Sequence, residues 1–319
     1  MKGFKGERDK RRRDRRDKGT NAMKIINFGS LNVDYVYRLD HIVKPGETLA
    51  SSEMQVNPGG KGSNQSVALK RAGADVWHAG LLGEDTAWMR ERLEREGVDV
   101  RHVLISKEIH GGHAIIQVNA TSGQNSIVLF GGANQSITAS QVADVLKDAE
   151  RGDWLVLQNE INVTPDVMAA GKAAGMKVCF NPAPFDEGVF NYPLECVDLF
   201  ILNEHEAAGL ARKPVETAPE ELIATLSAAY PKAMICVTLG EAGSLLWTAS
   251  NGVIRQKAYP VKAVDTTAAG DTFTGYFLAE LTRGASLVAA LDMASRASAI
   301  AVTRPGALDS IPYLKELKA

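Results

Sequence analysis

Polar and apolar positions along this chain follow two rhythms, and the breaks between them predict the fold. From residue 137 onward, short unbroken apolar runs at 154–157, 177–180, 199–202 and 234–238 alternate with amphipathic stretches. Runs that are apolar on both faces belong to parallel strands covered by helices on both sides. The same unit appears earlier, at 24–28 and at 75–81, the latter followed by a charged helix over 87–96 that Gly97 closes. Two segments depart from it. Residues 35–56, around Pro45-Gly46, and 110–131, around Thr121-Ser122-Gly123, alternate with period two and predict hairpins. The expected fold is α/β: a doubly wound, mostly parallel central sheet with helices on both faces, plus a small β-sheet lid over the carboxyl edge. A lid there excludes water from whatever reacts beneath it.

Composition narrows the classes without changing that picture. A chain of 319 residues with 45% hydrophobic and 23% charged residues has ample material for one large α/β core. Its net charge of −2 hides an asymmetry. Residues 1–22 carry ten Lys/Arg and four Asp/Glu, while the rest is acidic by eight charges. An acidic body is a poor nucleic-acid surface. The charged stretch of the basic segment, GERDKRRRDRRDKG at 6–19, lacks apolar and aromatic residues for packing or base stacking, so 1–22 is expected to be a disordered extension preceding a single domain over 23–319. No apolar run is long enough to span a bilayer and no apolar core follows the basic run, which predicts a cytoplasmic protein. Cys179, Cys196 and Cys236 form no CxxC pair, so neither a disulfide framework nor a zinc site is expected.

The candidate chemistry gathers where strands end. At 264–277, VDTTAAGDTFTGYF reads as a β-branched run that turns through Ala268, Ala269 and Gly270 into a helix opening with Asp271 and Thr272. Unpaired N–H groups at a helix start form an anion site, and small residues let a phosphate approach. A carboxylate beside such a cradle suits phosphoryl transfer to an alcohol, with the acid accepting the hydroxyl proton. A plain helix N-cap is the other reading of Asp271. Asn32 and Asp34, two apart after the first strand, share a face where they could grip vicinal hydroxyls, or they form an Asx-turn. Residues 57–65, NPGGKGSNQ, combine glycines with Lys61 and two amides ahead of a helix expected over 66–72. The spacing of a Walker A loop is absent.

These segments resemble a known family. NPGGKGSNQ at 57–65, DTTAAGDTFTGYF at 265–277 and the Asn-x-x-Glu element from Asn203 to Glu206 match, in order, the signatures of the ribokinase, or PfkB, family of carbohydrate kinases. Where many members have Gly-Ala-Gly-Asp, this chain has Ala-Ala-Gly-Asp. The resemblance runs from Met23 to the C-terminus and implies an ATP-dependent kinase acting on the terminal hydroxyl of a pentose, D-ribose first. Other acceptors it allows are 2-deoxyribose, fructose or a nucleoside, and a non-catalytic sugar or nucleotide sensor is the reading outside the enzyme class.

By the same resemblance, Asp271 is the general base and the backbone of Ala268, Ala269, Gly270 and Asp271 the anion hole. Asn32, Asp34, Gly60, Lys61, Gly62, Asn64 and Glu160 hold the sugar. Asn203 and Glu206 lie near the phosphates and hydrated Mg²⁺. Thr238, Gly240 and Gly243, with Gly270 and Ser295, contact the nucleotide. Asp265, Thr267, Ala301, Arg304, Gly306 and Ser310 surround a monovalent cation, K⁺. A homodimer through the lid is also implied.

Overall fold

A computed structural model describes residues 23–317; the predicted basic extension at 1–22 lies outside them. The chain opens with β1 (Ile25–Phe28), a lid hairpin of β2 (Asn32–Leu39) and β3 (Glu53–Gly59), then α1 (Lys61–Arg71), β4 (Val76–Gly83), α2 (Trp88–Arg95) and β5 (Asp99–Ser106). A second hairpin, β6 (Gly112–Asn119) and β7 (Asn125–Phe130), precedes α3 (Ala139–Leu146), β8 (Trp154–Gln158), α4 (Thr164–Ala173) and β9 (Lys177–Asn181). Then come β10 (Leu199–Asn203), α5 (Glu204–Ala211), α6 (Pro219–Ala229) and β11 (Met234–Thr238). An edge pair, β12 (Ser244–Thr248) and β13 (Gly252–Gln256), leads to α7 (Ala269–Thr282) and α8 (Leu287–Ala301).

The large sheet runs β13-β12-β11-β10-β9-β8-β1-β4-β5, parallel from β11 to β5, with an antiparallel edge at β12 and β13. Chain order reverses at β1, which pairs with β4 on one side and β8 on the other. A crevice opens at such a switch point, beyond the carboxyl ends of the strands. Period-two alternation divides the buried strands between two cores. Ile26 and Phe28 join Leu155, Leu157, Phe180 and Phe200 under α3 to α6. Ile25 faces the other way, with Trp154, Val156, Cys179 and Cys236, under α1, α2, α7 and α8. Both of these cysteines are free and buried, as small hydrophobes, while Cys196 is half-buried.

The four-stranded lid, β3-β2-β6-β7, joins the two hairpins through a parallel pairing of β2 with β6. Its first hairpin spans 32–59, wider than the 35–56 expected, so Asn32 and Asp34 sit on a lid strand rather than in a turn. No helix among the described residues is long and apolar enough to cross a membrane.

Two expected elements differ. Helix α1 starts at Lys61, five residues before the 66–72 expected, because Gly62 is not a helix breaker here. A Cβ at Gly62 would lie 2.4 Å from the Ser30 backbone N and 2.6 Å from the Gly29 backbone C, so the missing side chain is what lets α1 dock on the end of β1. The expected β-branched run at 264–267 is not a strand, and α7 begins at Ala269, with Ala268 as its N-cap in the left-handed region at φ 59°.

Candidate active site

Two helix starts meet beyond the end of β1. Helices α1 and α7 pack closely at Gly275, where a Cβ would come 2.4 Å from the Ala68 Cβ and 2.7 Å from the Leu69 N. One turn back from that contact on each helix lie Asn64 and Asp271, which therefore face each other. Asn64 Nδ2 donates to Asp271 Oδ2 at 3.0 Å, and Gln65 Nε2 donates to Asp271 Oδ1 at 2.9 Å. The carboxylate is 6% exposed, so both amide bonds act with little competition from water.

Because Ala268 is the N-cap, Asp271 lies inside the first turn and does not cap it. Among the described residues, the N–H groups of Gly270 and Asp271 donate to no protein acceptor, whereas Ala269 N bonds Thr266 O and Thr272 N bonds Ala268 O. Two free donors at the positive end of α7, beside a fixed carboxylate, make the predicted anion hole and base adjacent in space. Nothing lies within 4 Å of a Cβ built on Gly270, so the hole opens outward.

The groups expected to hold a polyol line the near side. Glu160 Oε2 accepts from the Lys61 backbone N at 3.0 Å and from Ser30 Oγ. Asn32 Oδ1 accepts from Asn134 Nδ2 at 2.8 Å, and Asn134 in turn is held by the Leu31 backbone. Asp34 stands against Gly59, where a Cβ would meet its Oδ2 at 2.1 Å; that glycine makes room for the carboxylate. Gly60, at φ 93°, turns the chain from β3 into α1. Gly62 O accepts from Asn27 Nδ2 at 2.7 Å, which adds to its packing role.

The charges here are strained by burial. Burial, aided by the neighbouring Glu160 charge, pushes the Asp34 carboxyl up to about 7. Burial likewise raises Glu160 and Glu206, against the opposing pull of Lys61. Burial pulls the Lys61 ammonium down, but Asp271, Glu160 and Glu206 together outweigh it and raise its pKa. Asn64 Oδ1 is buried without a hydrogen-bond partner among the described residues. A buried acceptor left open, beside a carboxylate, is ready for a hydroxyl donor.

The far side is built from strand ends β10 and β11, where Asn203 and Thr238 are register partners. Asn203 caps α5 in a capping box with Glu206, whose carboxylate accepts from Asn203 N, Asn203 Nδ2 and Asn181 Nδ2 at 2.8–2.9 Å. With both oxygens engaged, Glu206 suits a metal-bound water better than direct coordination of the metal. Thr238 Oγ1 donates to Leu202 O at 3.2 Å. Gly240 has φ 52° with open space around it, whereas Gly243, at φ 97°, is pressed against Gln256 O. Ser295 is buried on α8 and enters none of these hydrogen-bonded groups.

Of the cation set, Asp265 and Gly306 come together: Asp265 Oδ2 accepts from Gly306 N, and Oδ1 from Thr267 N and Oγ1. The carbonyls of Asp265, Thr267, Arg304 and Gly306 accept no protein hydrogen bond among the described residues. Hard, unpaired oxygens of this kind fit a monovalent cation. The Arg304 side chain pairs instead with Glu316, and Ser310 Oγ bonds Ala307 O, while Ala301 O accepts from Arg304 N.

Comparison with known proteins decides the family. The model of the pfkB family carbohydrate kinases matches residues 22–314. The chain belongs to the pfkB family of carbohydrate kinases. Among relatives of this pfkB-family chain, the ribokinase of Haemophilus influenzae is 36% identical over 91% of this chain and 95% of its own length. A deoxyribokinase of Salmonella typhi is 32% identical, covering 92% and 97%. The structure of Arabidopsis thaliana ribokinase complexed with ribose and ATP superposes with a TM-score of 0.84 at 30% identity, covering 93% and 98%. The ribokinase-like fold expected from the sequence is therefore the fold of this kinase.

Asn27 and Asn134 were not read from the sequence, and Ser30, Gln158 and Asn181 stood out only as polar residues at strand ends, without a role. The signal available for most of them was their place at the end of a strand, as for Asn27, Gln158 and Asn181, which no local motif marks.

Proposed function

We propose that this kinase transfers the γ-phosphoryl group of ATP to the terminal hydroxyl of a pentose, D-ribose to D-ribose 5-phosphate. The observation that carries the reading is the Asp271 carboxylate fixed by Asn64 and Gln65 beside the free N–H groups of α7. Asn32, Asp34, Lys61, Asn64 and Glu160 bind the sugar and hold its hydroxyl toward Asp271. Asp271 takes the hydroxyl proton as the new P–O bond forms, and the N–H groups at 268–271 stabilise charge on the transferred group. Most of the acceleration then comes from aligning the two substrates, which the crevice does by position.

Thr238, Gly240, Gly243 and Ser295 border the nucleotide. Mg²⁺, when bound, neutralises charge on the phosphates, with Asn203 and Glu206 addressing its water shell. K⁺, if held beside 265–267 and 306, would reinforce the positive field at the hole. Ribose is preferred as acceptor because the Haemophilus influenzae ribokinase is the more similar of the two relatives, at 36% identity against 32% for the deoxyribokinase. The deoxyribokinase match makes 2-deoxyribose the second reading.

A homodimer through the lid is part of the proposal. Val56, Tyr35, Ile115 and Val128 are register neighbours across all four lid strands, on the face opposite Asp34. Val56, Ile115 and Val128 are exposed there, an apolar stripe that a second copy would cover. Measuring ADP release with ATP and Mg²⁺ over a panel of pentoses, hexoses and nucleosides, with and without K⁺, tests the reading. Turnover greatest on ribose and stimulated by K⁺ is expected; no turnover on any acceptor overturns it.

A further inference from the structure

Gln65 and Asn181 belong to none of the sugar, phosphate or cation groups above, yet they join them. Gln65 is fully buried. Its Nε2 donates to Asp271 Oδ1 at 2.9 Å and to Asn181 Oδ1 at 3.3 Å, while its Oε1 accepts from Gln158 Nε2 at 2.7 Å. Gln158 is itself held, donating to Asn27 Oδ1 at 3.0 Å, and Asn27 donates to Gly62 O and Ser66 Oγ. A donor fixed against its oxygen leaves the Gln65 amide one orientation, with its NH₂ toward Asp271. The opposite orientation would set a carbonyl oxygen against a carboxylate and leave a buried donor facing a donor.

Asn181 continues the line. Its Oδ1 is taken by Gln65, and its Nδ2 donates to Ile201 O and to Glu206 Oε2, both at 2.9 Å. Glu206 closes on the Asn203 N-cap. An unbroken buried path thus runs from the carboxylate on α7, through Gln65 on α1 and Asn181 at the end of β9, to Glu206 at the start of α5, with Gln158 of β8 bracing it from the side.

We propose that Gln65 is a positioning residue for Asp271 and that Asn181 links it to the Asn203–Glu206 end of the site. This deepens the kinase reading and rests on it. Asn64 also holds Asp271, but its Oδ1 has no partner among the described residues and is left for a sugar hydroxyl, so it serves sugar and base together. Gln65 has no spare polar atom for a substrate. It sets the direction in which the carboxylate meets the hydroxyl, and through Asn181 it keeps that direction in register with the helix start that addresses the phosphates. Lys61, Glu160 and Glu206 supply the surrounding charge.

The test uses the full-length enzyme once an acceptor is turned over. Gln65→Met keeps the bulk and removes the donor. Expected is a fall in kcat of about ten- to a hundredfold, since one hydrogen bond to a charged group is lost, with KM for the sugar within about threefold, since the sugar-holding groups stay in place. Asn181→Leu lowers kcat as well, and the double variant loses markedly less than the product of the two, because they share one path. Gln158→Leu, which touches neither Asp271 nor a substrate group, lowers kcat a few fold by freeing the Gln65 amide, and it carries the test if Gln65→Met does not fold. Unchanged kcat in Gln65→Met or Gln158→Leu, sugar affinity lost in step with kcat, or simple multiplicativity of the double variant would each overturn the proposal. Absence of turnover in the unmodified enzyme sinks the kinase reading instead, so the two failures are distinct.

Discussion

The two halves of the crevice are built in opposite ways. On the sugar side, Asn27, Gln65, Asn64, Gln158 and Asp271 are nearly all buried and tied to one another by side-chain hydrogen bonds. On the phosphate side, residues 261–267 and Gly270 are mostly exposed, and a Cβ at Gly240 or Gly270 would meet nothing. Apart from Asn64 Oδ1 and Gln158 Oε1, the sugar side is hydrogen-bonded within the protein, whereas the phosphate side offers exposed N–H and carbonyl groups with no protein partner, open to water or a ligand. Preorganised groups lower the cost of aligning a small neutral acceptor. A charged nucleotide needs room to enter, and brings its own charge to order the loop.

That contrast is open to experiment. The largest effect is expected from Asp271→Asn, which removes the base and keeps its shape, at the cost of one of the two amide contacts, since its NH₂ must face either Asn64 Nδ2 or Gln65 Nε2. Turnover should fall about 10²- to 10⁴-fold, while sugar binding, measured by calorimetry, survives; retention of most activity would reject the base. Gly62→Ala attacks the hydrogen-bonded half, since its Cβ would strike the Gly29–Ser30 backbone. A loss of about 1–3 kcal/mol in thermal or denaturant unfolding is expected, with weaker sugar binding. Gly270→Ala probes the open half. Its Cβ has space, so stability should hold or rise by about 0.5–1 kcal/mol, while KM for ATP rises several fold as the methyl crowds the hole. Equal damage to stability from both glycines would erase the contrast.

The smallest effect concerns pH. Asp34 has its pKa raised from 3.8 to about 7 in the folded protein. The folded state therefore keeps a proton that the unfolded chain has already released. Its contribution to stability declines as pH rises from about 4 toward 7 and is level above that. Sugar hydroxyls donating to the carboxylate favour its ionised form. Sugar affinity should accordingly tighten as pH rises through about 7, and Asp34→Asn should flatten that profile in calorimetric titrations.

Much of the site was legible because its cues are local. A glycine-rich run before a helix, small residues before an acid, and Asn-x-x-Glu at a helix start are each set by backbone geometry within a few residues. The same Asn203 and Glu206 that form the family signature turn out to be the capping box of α5, a local role not assigned to them from the sequence. The helix starting at Lys61 was hidden by Gly62, whose low helix propensity is overridden by a contact with β1 that no neighbouring residue reports. Asn134 escaped notice, and Gln158 was legible only as the polar end of a strand, because their partners lie 102 and 131 positions away.

By itself, the sequence determined the α/β alternation, the two lid hairpins, the family and the identity of the acid at the helix start. The alternation, the hairpins and the acid follow from short-range periodicity and turn chemistry, and the family from the resemblance of three short motifs to known signatures. Only the tertiary structure decided that Asp271 lies inside the first turn rather than capping it, and that Gln65, 206 residues away, donates to its carboxylate. The reason is the α1–α7 crossing. Gly275 against Ala68 fixes how near the two helices come, and that distance is a property of two surfaces in contact, which neither segment encodes alone.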